Sequence, residues 1–323
     1  MTVYLPEVGS PADHLIIAYA ASHAPALRSA LPRLNLPHLQ DLLQTLTRVQ
    51  VQTCDPEAPD LDMPHERVMA QALQLPGGPG AWPWAALSQE TANAVPQAFF
   101  SPCHWQIGMD QVVMLNPAEL QLSEAESLDL LAAMQPFFIE DGLTVRYIAP
   151  TQWHVQGELL RDLHCASLER VVGMNVNPWL PKNDAAKALR RLQSEMQMLL
   201  YNHPVNDARS AQGRWTVNSF WVHGAGVLPN PPTRLAPQLA LRLREPALRE
   251  DASAWLQAWQ ETDRTLCAEW RGRLRTRPVT LTLCSEHAAH TYQSRTLSPL
   301  QQLWQRAQRV LQPQTVTQAL LAL

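Results

Sequence analysis

Leu199 to Gly226 reads LLYNHPVNDARSAQGRWTVNSFWVHGAG. Asn202, His203, Asn206, Asp207, Arg209, Asn218, Trp221 and His223 all fall within these residues. As a connection between two ordinary segments, the stretch carries more hydrogen-bonding capacity than a connection needs, and loops held by a scaffold often carry function. His203-Pro204-Val205-Asn206-Asp207-Ala208-Arg209 combines an imidazole, an amide and a guanidinium fork, a set suited to a carboxylate or phosphate. The same residues also suit a closed turn in which Arg209 satisfies buried carbonyls. Asn218 to Gly226 reads as a short strand that ends in a small-residue turn, where backbone approaches a ligand or another element closely.

Upstream, Asp184 to Tyr201 predicts a helix with Leu189, Leu192, Met196 and Leu199 on one face and Lys187, Arg190 and Arg191 off it. Downstream, Asp251 to Trp270 predicts a helix with Trp255 and Trp259 one turn apart, a spacing more often found in a core than in a binding box. Pro278 to Cys284 reads as a β-branched strand, and Ser298-Pro299 opens a helix reaching Leu311. Near the start, His14 to Ala20 is an apolar run fit for a parallel strand, followed by helices near Leu36 to Thr47 and His65 to Leu75. Asp55 to Pro64 between them is an acidic, proline-bearing linker. From Cys103 to Gln156 the order reads β-β-α-β-β, with hairpins at Gly108-Met109-Asp110 and Pro150-Thr151. Its helix is marked by a Ser123/Glu126 capping box and a stripe of Leu130, Leu131, Met134, Phe137 and Phe138. The expected fold is an α/β core of residues 1–95 and 158–323 with a mostly parallel sheet, interrupted by an α+β insert at 96–157.

The 323 residues are 46% hydrophobic and 17% charged, enough to bury a sizeable core, and a formal charge of -4 gives no global attraction to nucleic acid. Cys54, Cys103, Cys165, Cys267 and Cys284 are odd in number and never spaced as CxxC, which predicts free buried thiols. Twenty-seven prolines against twelve glycines leave few sites for a phosphate-cradling loop. No GxGxxG or GxxxxGK[ST] occurs, and Pro76 to Gly80 reads as a turn. The early apolar run is far too short to span a bilayer, so a cytoplasmic protein without a membrane segment is expected.

The histidine-proline-valine-asparagine run with Arg209, then Asn218, Trp221 and the Gly224-x-Gly226 turn, resembles the insert-to-core region of archaeal-type cofactor-independent phosphoglycerate mutases. Those proteins have a second tryptophan where this chain has His223. More of the length, including Cys103 through the helix after Ser123 and Leu192 to His203, resembles the bacterial RpfE-type regulatory family. The resemblance implies an alkaline phosphatase-like core. It also implies an aspartate after the first strand, a serine nucleophile and Asp/His clusters holding two metals. Here His14 to Ala20 runs into Ala21-Ser22-His23 with no aspartate, and no DHxxxH or DxxxH set follows. In-line phosphoryl transfer relies on cationic stabilisation of developing charge, so losing those ligands removes most of the rate.

A degenerate, regulatory member of the mutase-like class, without catalytic residues or cofactor, is therefore expected. Its candidate pocket for a small anionic ligand comprises His203, Asn206, Arg209, Asn218, Trp221 and His223; a protein partner is a separate expectation, as is a protein-binding scaffold with no small ligand. The competing expectation is an active phosphoester mutase or phosphatase with a rearranged zinc or manganese site at Glu286, His287 and His290, at the end of a strand. Ser22 is a weaker remnant, because the side chains of neighbours such as Ser22 and His23 diverge. His104 and His154, in the two hairpins, are placed to face one another, although such histidines are more often satisfied core or surface residues.

Overall fold

Strand formation begins where the sequence is most apolar: His14–Ile17 forms β1, with Leu15, Ile16 and Ile17 fully buried. The computed structural model describes residues 13–54, 60–89, 92–182, 185–294 and 315–323. In chain order its further strands are β2 (Thr47–Thr53), β3 (Asn93–Cys103), β4 (Trp105–Ile107), β5 (Val112–Met114), β6 (Thr144–Ala149) and β7 (Gln152–Gln156). β8 (Ser219–Leu228), β9 (Gln238–Ala240), β10 (Thr280–Cys284) and β11 (Ala288–Gln293) follow. Two compact units divide these residues: one holds 13–54, 64–73, 234–294 and 315–323, the other 60–63 and 74–233. No helix among the described residues is long and apolar enough to cross a membrane.

The first unit is α/β, built on a sheet of order β2-β11-β10-β1-β9. β1 runs parallel to β10 and β9, as a short strand buried on both faces does, while β10–β11 and β11–β2 pair antiparallel. The helix Pro37–Thr45 opens on Leu36, which has no capping side chain. Asp263 supplies the cap from elsewhere, accepting from Leu39 N at 2.7 Å and His38 N at 3.3 Å. Asp263 begins a π-helical turn, Asp263–Cys267, so the helix expected from Asp251 to Trp270 is interrupted between Ala252–Thr262 and Ala268–Leu274. The helix expected from Ser298 to Leu311 lies outside the described residues.

The second unit carries an antiparallel sheet of order β6-β7-β3-β8 and a separate β4–β5 hairpin. The ββαββ order stands, and the helix Glu124–Glu140 is fixed by both halves of the Ser123/Glu126 capping box. The boundaries at 96 and 157 do not match this unit, which runs on to Thr233. The cause is burial: Ala98, Phe100, Trp153 and Val155 share one core with Leu130, Met134, Phe138, Leu189, Leu192, Met196, Phe220 and Val222. The helix Ala185–Tyr201 and β8 thus belong with the supposed insert. The turn expected at Gly224 to Gly226 is also revised, because β8 continues through it. Gly224 adopts φ +63°, and a Cβ on Gly226 would lie 2.9 Å from Pro83 and the Ala81 carbonyl, so glycine lets that segment pack on the strand.

All five cysteines are free, and burial pushes the Cys165 thiol up to about 12.

Candidate functional site

The region from 199 to 226 is a helix end, a second helix and a strand. His203 caps the helix Pro204–Ala211, its Nδ1 accepting from Val205 N at 3.3 Å. Asn206 brackets the helix against the start of β8: its Nδ2 donates to the carbonyls of Leu200 (2.8 Å) and Val217 (2.7 Å), and its Oδ1 accepts from Val217 N at 2.9 Å. Asn218 binds the backbone of Trp105 both ways, accepting from its N–H at 2.7 Å and donating to its carbonyl at 3.0 Å. Trp221 donates to the Ala166 carbonyl at 2.9 Å.

Arg209 decides what this cluster does. Its side chain is fully buried, and its fork donates to the Trp215 carbonyl (Nε, 2.7 Å), to Glu126 (3.0 Å) and to the Leu120 carbonyl. Burial opposes ionisation of Glu126. The Ser123 amide and hydroxyl and the Arg209 guanidinium nonetheless hold its carboxyl below the usual range. The anion pocket expected from His203, Asn206, Arg209, Asn218, Trp221 and His223 is therefore corrected: two carbonyls and a carboxylate of the protein occupy the three directions of the fork. The polar density joins a helix to a strand, the turn-closing use that the same residue types also permitted.

His223 lies apart from Arg209's partners, its Nε2 2.9 Å from Ser101 Oγ, and burial lowers its pKa to about 3. His154 Nε2 lies 2.7 Å from Gln97 Oε1 and is lowered to about 4, first by burial. Phe99 sits between the two imidazoles, with ring centroids 6.2 Å from His154 and 5.5 Å from His223. His104 instead contacts the Thr216 carbonyl through Nδ1 at 2.8 Å, so the pairing of His104 with His154 does not occur. The period-two pattern Gln97, Phe99, Ser101 was the signal for this polar strip, masked by Pro96 and Pro102 in the same strand.

The other candidate region is the carboxyl end of β1, where open α/β sheets bind ligands. Residues 18–23 read Ala-Tyr-Ala-Ala-Ser-His and offer no carboxylate. The backbone there is already engaged: Trp255 Nε1 donates to the Tyr19 carbonyl at 3.2 Å, Trp259 Nε1 to the Ala20 carbonyl at 3.1 Å, and Ala20 N to the Cys284 carbonyl at 2.7 Å. Both indoles are fully buried and meet edge to face, and Tyr19 is held in the left-handed region at φ +55°. Ser22 Oγ accepts from Ala24 N at 3.2 Å, a local turn. Beyond it, His23 Nδ1 lies 3.7 Å from Glu286 Oε2, and the His23 and His287 rings are 5.1 Å apart.

His290 does not join them. It lies within β11, in register with Leu283 and Val51, and is buried. The turn after β10 leads into this strand, not into a helix that would align positions 287 and 290. The alternative metal set Glu286, His287 and His290 is therefore corrected, with His23 as the actual neighbour. Among the described residues no group of three or more His, Cys, Asp or Glu side chains is arranged to hold a metal ion, so this donor set does not fit a two-metal centre.

No protein-family model matches the chain. A stretch of 75 residues is 31% identical to the 2,3-bisphosphoglycerate-independent phosphoglycerate mutase of Methanothrix thermoacetophila, covering 23% of this chain and 19% of that protein. The match thus spans about a fifth of the curated relative's length. Among solved structures, the cofactor-independent phosphoglycerate mutase from Thermoplasma acidophilum is 12% identical with a TM-score of 0.34, over 86% of this chain and 89% of that one. The PH0037 protein from Pyrococcus horikoshii is 12% identical with a TM-score of 0.43, over 87% and 86%. The distant similarity to a phosphoglycerate mutase is thus carried by those 75 residues.

Proposed function

We propose that the chain is a catalytically degenerate relative of the cofactor-independent phosphoglycerate mutases that works by binding, as a cytoplasmic regulatory protein of the RpfE type its sequence resembles. One observation carries this reading: Trp255 and Trp259 occupy the carbonyls at the carboxyl end of β1, where the mutase resemblance implies a metal-binding aspartate. Developing charge in phosphoryl transfer needs cations held in place. Residues 18–23 bring an apolar turn, a serine committed to its own backbone and one histidine. Arg209 is committed to Glu126 and to two carbonyls, which leaves none of its fork for a small anion; Glu126 also pairs with Arg214 at 3.0 Å.

Isothermal titration of the full chain with Mn²⁺ and Zn²⁺ tests the metal side of this reading. We expect no stoichiometric binding. Two ions per chain, lost on Glu286→Gln, would rule it out. The proximity of His23, Glu286 and His287 favours the second reading, a working phosphoester enzyme with a rearranged site. That reading requires turnover that falls with His23→Ala.

A further inference from the structure

The sheet of the first unit ends on β2, Thr47-Arg48-Val49-Gln50-Val51-Gln52-Thr53, which among the described residues pairs with β11 alone. Arg48 to Val51 and Thr53 are exposed, with Val51 at 49%. An edge strand offers a row of main-chain donors and acceptors to a second strand. One bond fixes which residues offer them: Cys54 N donates to the His287 carbonyl at 2.7 Å, on the β11 side. Both main-chain groups of a residue point to the same side of an antiparallel strand, and the side alternates along it. Gln50 and Gln52 therefore face β11, while Val51 and Thr53 turn their N–H and C=O groups outward. The two features that guard an edge, a charge and a bulge, fall to one end of the strand. The charge is Arg48; the bulge is Val49, left over where Gln50 faces Thr291 and Arg48 faces Tyr292. Gln50 to Thr53 stay in regular register with β11.

We infer that this edge pairs with β2 of a second copy of the chain, antiparallel, about a two-fold axis at Val51. An isologous contact must be self-complementary, and the sequence is so about that residue. Val51 of each copy exchanges both N–H···O bonds with Val51 of the other. Gln50 of one copy meets Gln52 of the other, amides that donate and accept, and Val49 meets Thr53, both β-branched. The two Arg48 side chains then lie about 20 Å apart along the strands, beyond the ~8 Å screening length; an in-register parallel pair would set them side by side. That symmetry selects a second copy over a foreign strand. The contact is one strand wide, so the dimer is weak and concentration-dependent.

Sedimentation of the full chain between about 5 and about 500 µM reads this out, and a monomer–dimer equilibrium is expected. Val51→Pro removes an outward N–H, a change that an edge strand tolerates, and should weaken the dimer at least about tenfold. Val51→Lys should do the same by placing two like charges on the axis. Cysteine pairing tests the register in a Cys54→Ser background. Val51→Cys should give a disulfide-linked dimer on oxidation, since facing Cα atoms in a hydrogen-bonded pair are about 5.5 Å apart. Arg48→Cys should not, being far from its own copy. A chain that stays monomeric at the highest concentration overturns the proposal. So does a dimer that Val51→Lys leaves intact, or a dimeric Val51→Cys chain that does not cross-link. If Val51→Pro fails to fold, the lysine and cysteine variants decide.

Discussion

Arg209 shows how a residue suited to anion binding becomes structural. A planar fork with three acceptors from Trp215, Glu126 and Leu120 is a closed set, and a lysine has only one centre with which to replace it. Arg209→Ala leaves the Trp215 and Leu120 carbonyls without their donor, while Glu126 keeps Ser123 and Arg214, which should cost about 2–3 kcal/mol in urea unfolding. Arg209→Lys should recover less than half of that, and phosphate should not shift the Tm of the wild-type chain. The buried histidines give a second test. His223 and His154 are held neutral, at about 3 and about 4, against an unfolded value of about 6.5. Their folded pKa values are depressed, so the unfolded chain binds more protons below pH 6.5. The stability they contribute is whole above that pH and is lost as pH falls toward 4 and then 3. Each should add about 1.4 kcal/mol per pH unit to the slope of stability in that window. Urea midpoints between pH 7 and 4.5 check this, and a flat profile would show that these imidazoles are not buried neutral.

Elements with local signals were legible in the sequence. The Ser123/Glu126 box placed the start of the helix Glu124–Glu140 and the apolar stripe its buried face, and helical spacing placed Ala185–Tyr201. β3 was hidden because Pro96 and Pro102 argue against a strand, yet it is the one that pairs with both β7 and β8. β8 was cut short for a related reason: glycines that mark a turn in isolation serve here for close approach to Pro83 and Trp84. The cap on the helix Pro37–Thr45 had no local signal at all, since Asp263 is 224 residues from Leu39. Asp263→Ala should therefore destabilise that helix by about 1–2 kcal/mol, with faster amide exchange at His38 and Leu39 as the direct readout. Unchanged exchange there would show that another group caps the helix. Ser123→Ala should cost about 1 kcal/mol by loss of the capping box.

For the whole molecule, the α/β class followed from the strand His14–Ile17 and the helices around it, but the division into units did not, because pairing of β3 with β8 is a long-range event that local pattern cannot reveal. The candidate site was legible only in part. Residue types located two polar clusters, while burial and pairing decided that Arg209 faces Glu126 and that His23 replaces His290 beside Glu286. Sequence also showed that no carboxylate follows β1; only the structure shows Trp255 and Trp259 bonded to the carbonyls of Tyr19 and Ala20 there. That the carboxyl end of β1 carries no phosphoryl-transfer centre is the central claim, and turnover tests it most directly. The full chain should be assayed for interconversion of 3- and 2-phosphoglycerate and for hydrolysis of p-nitrophenyl phosphate, with Mn²⁺ or Zn²⁺ supplied. The expected result is no rate above the metal-only control; turnover that is saturable and abolished by Glu286→Gln would contradict it.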